Sequence, residues 1–147
     1  MNSRPERVLL DTNVLITYLL DRTRKSPATP IVEAALVGRY RLLVSDELLH
    51  ELASRVERKP YLASRIAPSD VDTLTVVLTG VAEQIDLSMI AIPRIVRDPD
   101  DDYLITLAVT GRADILVTGD HDLLELTDLT SFRIMALRDF ADLLDER

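Results

Sequence analysis

The chain enters its first regular element with Val8-Leu9-Leu10-Asp11-Thr12-Asn13-Val14-Leu15, and the fold follows from how that stretch changes character. Three apolar residues in a row read as a short strand buried on both faces, the pattern of a parallel sheet. Asp11-Thr12-Asn13 interrupts the run with polar groups, and Val14 to Leu20 resumes as the start of a helix. A strand that feeds straight into a helix puts Asp11 at the carboxyl edge of the sheet, where open α/β sheets take up ligands.

The rest of the chain repeats that alternation. Asp21 to Pro30 is a loop carrying Arg22, Arg24 and Lys25, and Ile31 to Val37 is a helix closed by Gly38. Arg41 to Val44 is a second strand. Ser45 or Asp46 then caps a helix whose apolar stripe is Leu48, Leu49, Leu52 and Val56, with Glu51 at its edge and Glu47 one turn earlier. Pro60 to Pro68 is a break holding a short helical piece from Tyr61 to Ile66. Ser69 to Asp72 opens a helix with Leu74, Val77, Leu78 and Val81 on its apolar side. Strand material lies in Ile85 to Pro93, and a helix over Tyr103 to Val109 closes at Gly111. Ile115-Leu116-Val117 is another apolar strand ending in a polar triplet, Thr118-Gly119-Asp120. Phe132 to Met135 is an edge strand and Leu137 to Leu144 a last helix. The expected fold is α/β: one domain over residues 1–147, with a core of about 7–144 and a central parallel sheet of about five strands. Helices cover both faces through right-handed crossovers.

Composition narrows the chemistry. A chain of 147 residues is long enough to bury a full core. It has no cysteine and two histidines, His50 and His121, which excludes disulfides, cysteine-held zinc and a multi-histidine zinc site. The four glycines form neither a Gly-x-Gly-x-x-Gly nor a Walker loop. No apolar run approaches the ~20 residues that span a bilayer, and Met1 to Arg7 does not read as a signal peptide. A cytoplasmic protein with no membrane partner is expected. The net charge of −8 argues against nucleic acid when taken alone. It is unevenly spread, however: residues 1–65 are slightly basic and residues 66–147 strongly acidic.

The densest acidic stretch is Asp98-Pro99-Asp100-Asp101-Asp102, four carboxylates without a cation, preceded by Arg94 and Arg97. Like charges that close take up protons unless solvated or countered, and a hard divalent cation with oxygen ligands is one such counter-charge. A calcium loop starting at Asp98 fails, because glycine is required where Tyr103 stands and glutamate where Val109 stands. Each acid also has an ordinary reading. Asp100 to Asp102 suit the first turn of a helix. Asp11 suits a strand end, Glu47 and Glu51 a solvated helix face, and Asp120 and Asp122 a Gly-Asp-His-Asp turn. His50 and His121 read as surface residues, and Arg97 as local charge balance. It is the set that matters. Two strands end in Asp11 and Asp120, and helices near the same sheet edge carry Glu51 and the 100–102 acids. Topology draws these to one cleft, a magnesium-like site of carboxylates and waters.

These segments resemble those of PIN domains. Val8 to Leu15 is similar to the family's opening strand. Ser45-Asp46-Glu47-Leu48-Leu49-His50-Glu51-Leu52 is similar to its second signature, with Glu51 at the functional position. Asp98 to Asp102 followed by Leu104 and Ala108 resembles the third, and the seven-residue spacing to Ala108 points to Asp101, with Asp102 the alternative. Ala113 to Leu124 resembles the fourth, with Asp120 as its acid. The resemblance implies a metal-dependent endoribonuclease, closest to the toxins of bacterial toxin–antitoxin pairs. It implies Asp11, Glu51, Asp101 and Asp120 as catalytic residues and ligands of one or two Mg2+ or Mn2+ ions, and Asn13 and Thr118 as residues that hold the carboxylates. Asp98, Asp102 and Asp122 are alternates. Arg22, Arg24, Lys25 and Arg55 are candidates for the RNA backbone. The expected partners are an RNA substrate, a cognate antitoxin protein and a second copy in a homodimer. Cleavage would leave a 5′-phosphate and a 3′-hydroxyl.

Two other readings compete. A PIN-like module that binds RNA or protein without catalysis would be favoured by loss of one of the four acids, and all four are present. An aspartyl-phosphate phosphoacceptor would need a late lysine, whereas the last lysine is Lys59.

Overall fold

The computed structural model describes residues 6–90, 99–126 and 131–146, with the first helical turn at 99–102 described by its backbone alone. Strands β1 (Arg7–Leu10), β2 (Arg41–Val44), β3 (Glu83–Gln84), β4 (Ile115–Val117) and β5 (Arg133–Met135) form one sheet in the order β3-β2-β1-β4-β5. Every neighbouring pair is parallel. Successive side chains of a strand point to opposite faces. Val8, Leu9 and Leu10 are all 0% exposed, so both faces of β1 are covered. The alternating strands and helices, the parallel sheet and its double cover are as the sequence predicts.

Order matters more than count. The chain runs outward from β1 through β2 to β3, then returns to the other side of β1 for β4 and β5. The reversal falls between β1 and β4, whose last paired residues are Leu10 and Val117. Crossovers on either side of that line depart in opposite directions and open a crevice at the strands' carboxyl ends.

The helices are α1 (Thr12–Leu20), α2 (Ala28–Leu36), α3 (Asp46–Arg58), α4 (Pro60–Ala63), α5 (Pro68–Val81), α6 (Pro99–Thr110), α7 (His121–Leu124) and α8 (Leu137–Asp145). Helix α3 is built as its sequence dictates. The buried Ser45 hydroxyl accepts the Leu48 N–H at 3.1 Å as the N-cap. Leu48, Leu52 and Val56 face the core, and Arg55 and Arg58 occupy the last turn.

Helix α2 begins at Ala28, inside the loop expected over Asp21 to Pro30, and α4 ends at Ala63, short of the expected Ile66; three further boundaries differ from expectation. Helix α6 begins at Pro99, four residues before the predicted start at Tyr103, and Asp100 to Asp102 lie on its first turn, as their ordinary reading has it. Proline at the first helical position followed by acids is a favourable helix opening. Asp98, Arg94 and Arg97 lie outside the described residues. Strand β3 is Glu83–Gln84, ahead of the predicted Ile85 to Pro93, of which 91–93 lie outside the described residues. Glu83 is drawn in by Arg7, whose guanidinium donates to both carboxylate oxygens at 2.8 Å. The Gly-Asp-His-Asp turn continues into the short helix α7, because the Asp120 carboxylate caps it by accepting the Asp122 N–H at 2.8 Å. Among the described residues, no helix is long and apolar enough to cross a membrane.

Gly111 closes α6 and sits against the sheet. A Cβ there would stand 3.0 Å from Leu43 Cδ1, 3.1 Å from Ile85 Cγ1 and 3.1 Å from the Leu107 carbonyl oxygen. Gly111→Ala is expected to destabilise the fold by about 1–2 kcal/mol through overpacking. In urea this reads as a lower midpoint with an unchanged slope.

Candidate functional site

The site is assembled at the β1–β4 reversal. Asp11 follows β1 directly, and its N–H donates to the Val117 carbonyl at 3.0 Å, extending the ladder by one bond. It is also the N-cap of α1, so its carboxylate is held at the helix entrance. Asp11 Oδ2 accepts the Thr118 hydroxyl at 2.7 Å, and Oδ1 accepts the Asn13 N–H in a long contact of 3.4 Å. The Thr118 oxygen in turn accepts the Asp120 N–H at 3.0 Å. One hydroxyl therefore ties the end of β1, the end of β4 and the turn into α7 together.

Asp11 is only 3% exposed and Thr118 is fully buried. Burial pushes the Asp11 carboxyl above its ordinary value. The hydrogen bonds from Thr118 and Asn13 and the positive field of Arg55 oppose that rise, and the negative field of Asp120 adds to it. Asp120 and Arg55 are thus close enough to Asp11 to act on it electrostatically.

Helix α3 supplies the next groups. Arg55 donates to Asn13 Oδ1 at 2.7 Å and to Glu51 Oε1 at 3.1 Å, and Arg58 also reaches Glu51 Oε1 at 3.4 Å. Glu51 is half-buried and enters the site already paired with two arginines. Helix α6 closes the other side. The Tyr103 hydroxyl lies 3.4 Å from Thr12 Oγ1. Burial raises the Tyr103 phenol, and the carboxylates of Asp11 and Glu51 raise it further, which keeps it neutral. Tyr103 stands two residues after Asp101, so the first turn of α6 lies beside the start of α1.

The structure thus brings together Asp11, Asn13, Glu51, Arg55, Thr118 and Asp120. Asp101 and its alternate Asp102 are on the adjacent turn of α6, their side chains outside the described residues, and Asp98 lies outside them entirely. Asp122 is exposed and belongs to the α7 cap through its N–H. Arg24 is engaged by Glu33 on α2, Arg22 donates to the Arg65 carbonyl at 2.9 Å, and Lys25 is exposed. His50, His121 and Glu47 are exposed as well. Arg58, Tyr103 and Thr12 join the site without having been singled out. Arg58 had a readable signal, lying seven residues after Glu51 on an amphipathic helix, whereas the Tyr103–Thr12 contact is visible only in three dimensions.

The donors are oxygens throughout, which suits a hard divalent ion. Among the described residues, no group of three or more acids or histidines gathers closely enough to hold one. The described carboxylates at the crevice are Asp11, Glu51 and Asp120, and the side chains of Asp100 to Asp102 on the adjacent turn of α6 lie outside the described residues. The fit to a cation rests on Asp11: a carboxylate this deeply buried, with one strong hydrogen bond and no ion pair among the described residues, is stabilised by added positive charge.

No curated protein sequence matches the chain. Among solved structures the chain is similar to VapBC2 from Rickettsia felis, determined bound to a DNA fragment from its promoter. The superposition covers 88% of this chain and 98% of that one, with a TM-score of 0.58 and 15% identity. At that identity the likeness carries the fold alone. A profile of the PIN domain matches residues 7–122, most of the chain, and with the parallel sheet and the aspartates at its carboxyl edge this places the protein in the PIN domain family.

Proposed function

We propose that the protein is a Mg2+- or Mn2+-dependent endoribonuclease that cleaves RNA phosphodiesters by water attack, and that it is the toxin of a toxin–antitoxin pair acting in the cytoplasm. The observation that carries this reading is the buried Asp11 carboxylate, fixed by Thr118 at the strand reversal and within the fields of Arg55 and Asp120. An ionisable group kept in so costly a place points to a functional role. Family membership and the likeness to a toxin–antitoxin complex support it.

In this reading Asp11 and Asp101 are the principal metal ligands, and Glu51 and Asp120 complete the set directly or through water. Thr118 holds Oδ2 of Asp11, and Oδ1, which has only the long Asn13 contact, is the oxygen that would meet the ion. Asn13 is steadied by Arg55 through its side-chain oxygen. Arg55 and Arg58 hold Glu51 at the rim and offset its charge. Tyr103 and Thr12 wall the α6 side with neutral hydroxyls. A divalent ion held by these carboxylates would supply Lewis acidity toward the phosphate and lower the pKa of a bound water. The phosphorus–3′-oxygen bond breaks, leaving a 3′-hydroxyl and a 5′-phosphate. An antitoxin partner would act by covering this crevice.

The deciding experiment is cleavage of a structured RNA with Mg2+ or Mn2+. Wild type is expected to cleave, and Asp11→Asn to lose more than about 100-fold, the scale on which several kcal/mol of charge stabilisation disappears. Chelation should do the same. An Asp11→Asn variant that cleaves like wild type sinks the assignment. A wild type that binds Mn2+ and RNA but leaves RNA intact favours the binding module instead.

Stability gives an independent check. The folded-state pKa of Asp11 is raised above the ordinary 3.8, so the neutral form is favoured in the fold. Its contribution to stability is complete below the unfolded value and is lost as pH rises through the folded one. In chelator at pH 8, Asp11→Asn should therefore melt higher than wild type, and the gap should close as pH falls towards 3.8. Adding Mn2+ should raise the melting temperature of wild type and not of Asp11→Asn.

Thr118→Val keeps the shape of the buried side chain and removes the hydroxyl. Calorimetry should show Mn2+ affinity reduced by about 10- to 100-fold, as for other residues that orient a metal ligand.

A further inference from the structure

Most described polar groups at the crevice are already committed. The Thr118 hydroxyl gives its proton to Asp11 and receives the Asp120 N–H. Arg55 donates to Asn13 and Glu51, and Arg58 to Glu51 and Ser54. The hydroxyl on the α6 side is different. Tyr103 meets Thr12 Oγ1 at 3.4 Å, well beyond the length of about 2.7–2.8 Å at which two hydroxyls bond fully. It is held there only weakly.

Its placement is firm even though its bond is weak. Tyr103 is half-buried against the core, and Leu107, one turn further along the same face of α6, is fully buried. The ring keeps its direction, and the hydroxyl keeps hydrogen-bonding capacity to spare. Thr12 is the buried first residue of α1 and follows Asp11 directly. The phenol oxygen therefore ends one residue away from the carboxylate that anchors the site, where the charges of Asp11, Glu51 and Arg55 all act on it.

Chemistry sets this group apart from its neighbours. Guanidinium and amide N–H groups only donate, and ionised carboxylates only accept. A phosphate oxygen accepts, so the first kind serves it. A neutral hydroxyl both gives and receives, which makes it the complement of a second hydroxyl. RNA has one next to the reacting phosphate: the ribose 2′-OH, on the carbon beside the one that carries the leaving 3′-oxygen. That group is what distinguishes RNA from DNA at a given nucleotide.

We propose that Tyr103 is the sugar-reading residue of the crevice. Its hydroxyl, backed by Thr12, bonds the 2′-OH of the nucleotide on the 5′ side of the cleaved bond and makes the site selective for ribose. This rests on the ribonuclease reading and names the part of that substrate which the site recognises.

The test crosses the loss of one oxygen from the protein with the loss of one from the substrate. The substrates are a short RNA cut by the unaltered chain and the same RNA with a single deoxyribose on the 5′ side of the cut. The unaltered chain should prefer ribose by about tenfold in kcat/KM, the size of one neutral hydrogen bond. Tyr103→Phe should lose about tenfold on the ribose substrate and nothing on the other, so that the preference vanishes. Thermal melts unchanged from the parent show that the variant folds. Binding gives a readout that needs no cleavage. In an Asp11→Asn background a fluorescent ten-nucleotide RNA should bind more tightly than DNA of the same sequence, and Tyr103→Phe should narrow the difference. Equal losses on both substrates, reproduced by Thr12→Val, identify a brace between α6 and α1 and overturn the proposal. A parent chain indifferent to the sugar overturns it too. Failure of the ribonuclease reading is seen separately, as absence of cleavage of either substrate with the binding difference intact.

Discussion

A single hydroxyl governs the crevice. Thr118 has one proton to give and lone pairs to receive with; it gives the proton to Asp11 and receives the Asp120 N–H. Threonine suits the task because its branched Cβ restricts the side chain to few rotamers, and the buried strand end removes water as a competing partner. The bond is available only because β4 lies directly beside β1, with Leu10 opposite Val117. Sheet order, strand register and the position of the acid are therefore one constraint. If β4 were placed elsewhere in the sheet, Asp11 would be a buried carboxylate without its strongest donor.

Arg55 plays the corresponding part on α3. It is half-buried, donates to Asn13 and Glu51, and its positive field reaches Asp11. A crevice that gathers carboxylates is unfavourable when empty, because each charge raises the cost of the next. An internal guanidinium moderates that cost. The same side chain lines a basic groove with Arg58 and Lys59, so the acidic floor and the basic wall are joined by a hinge of one residue.

Much of this was legible in the chain. The β1 run into Asp11, the Ser45 cap with its Leu48–Leu52–Val56 stripe, and the Ile115–Val117 strand into Thr118 each carry local signals that tertiary structure does not override. The topology that brings Asp11 to Thr118 follows from the alternation of strands and helices. The α6 boundary was not legible, because Pro99 and the acids behind it read equally well as a loop or as a helix's first turn. The position of β3 was hidden as well, since a strand of two polar residues has no apolar signature and is held in part by Arg7 far away in sequence. Tyr103 shows the limit for site residues. A single aromatic residue next to a charged segment acquires meaning only when its neighbours in space are known.

Net charge is the most misleading of the global properties. A chain at −8 is repelled, on average, by a polyanion. Yet the sheet order places β1 between the two halves, with the acidic second half entering through α6 and β4 and the basic first half through α3 and α4. Electrostatic forces on a bound phosphate act within about 8–10 Å at ordinary salt, so a polyanion at the groove responds mainly to Arg55, Arg58 and Lys59 rather than to distant aspartates. The polarity that discourages nucleic acid when summed becomes a gradient when folded. It runs from cations that attract a phosphate to carboxylates that repel it. Arg55, bonded to Asn13 and Glu51 and within reach of Asp11, is where the two fields meet.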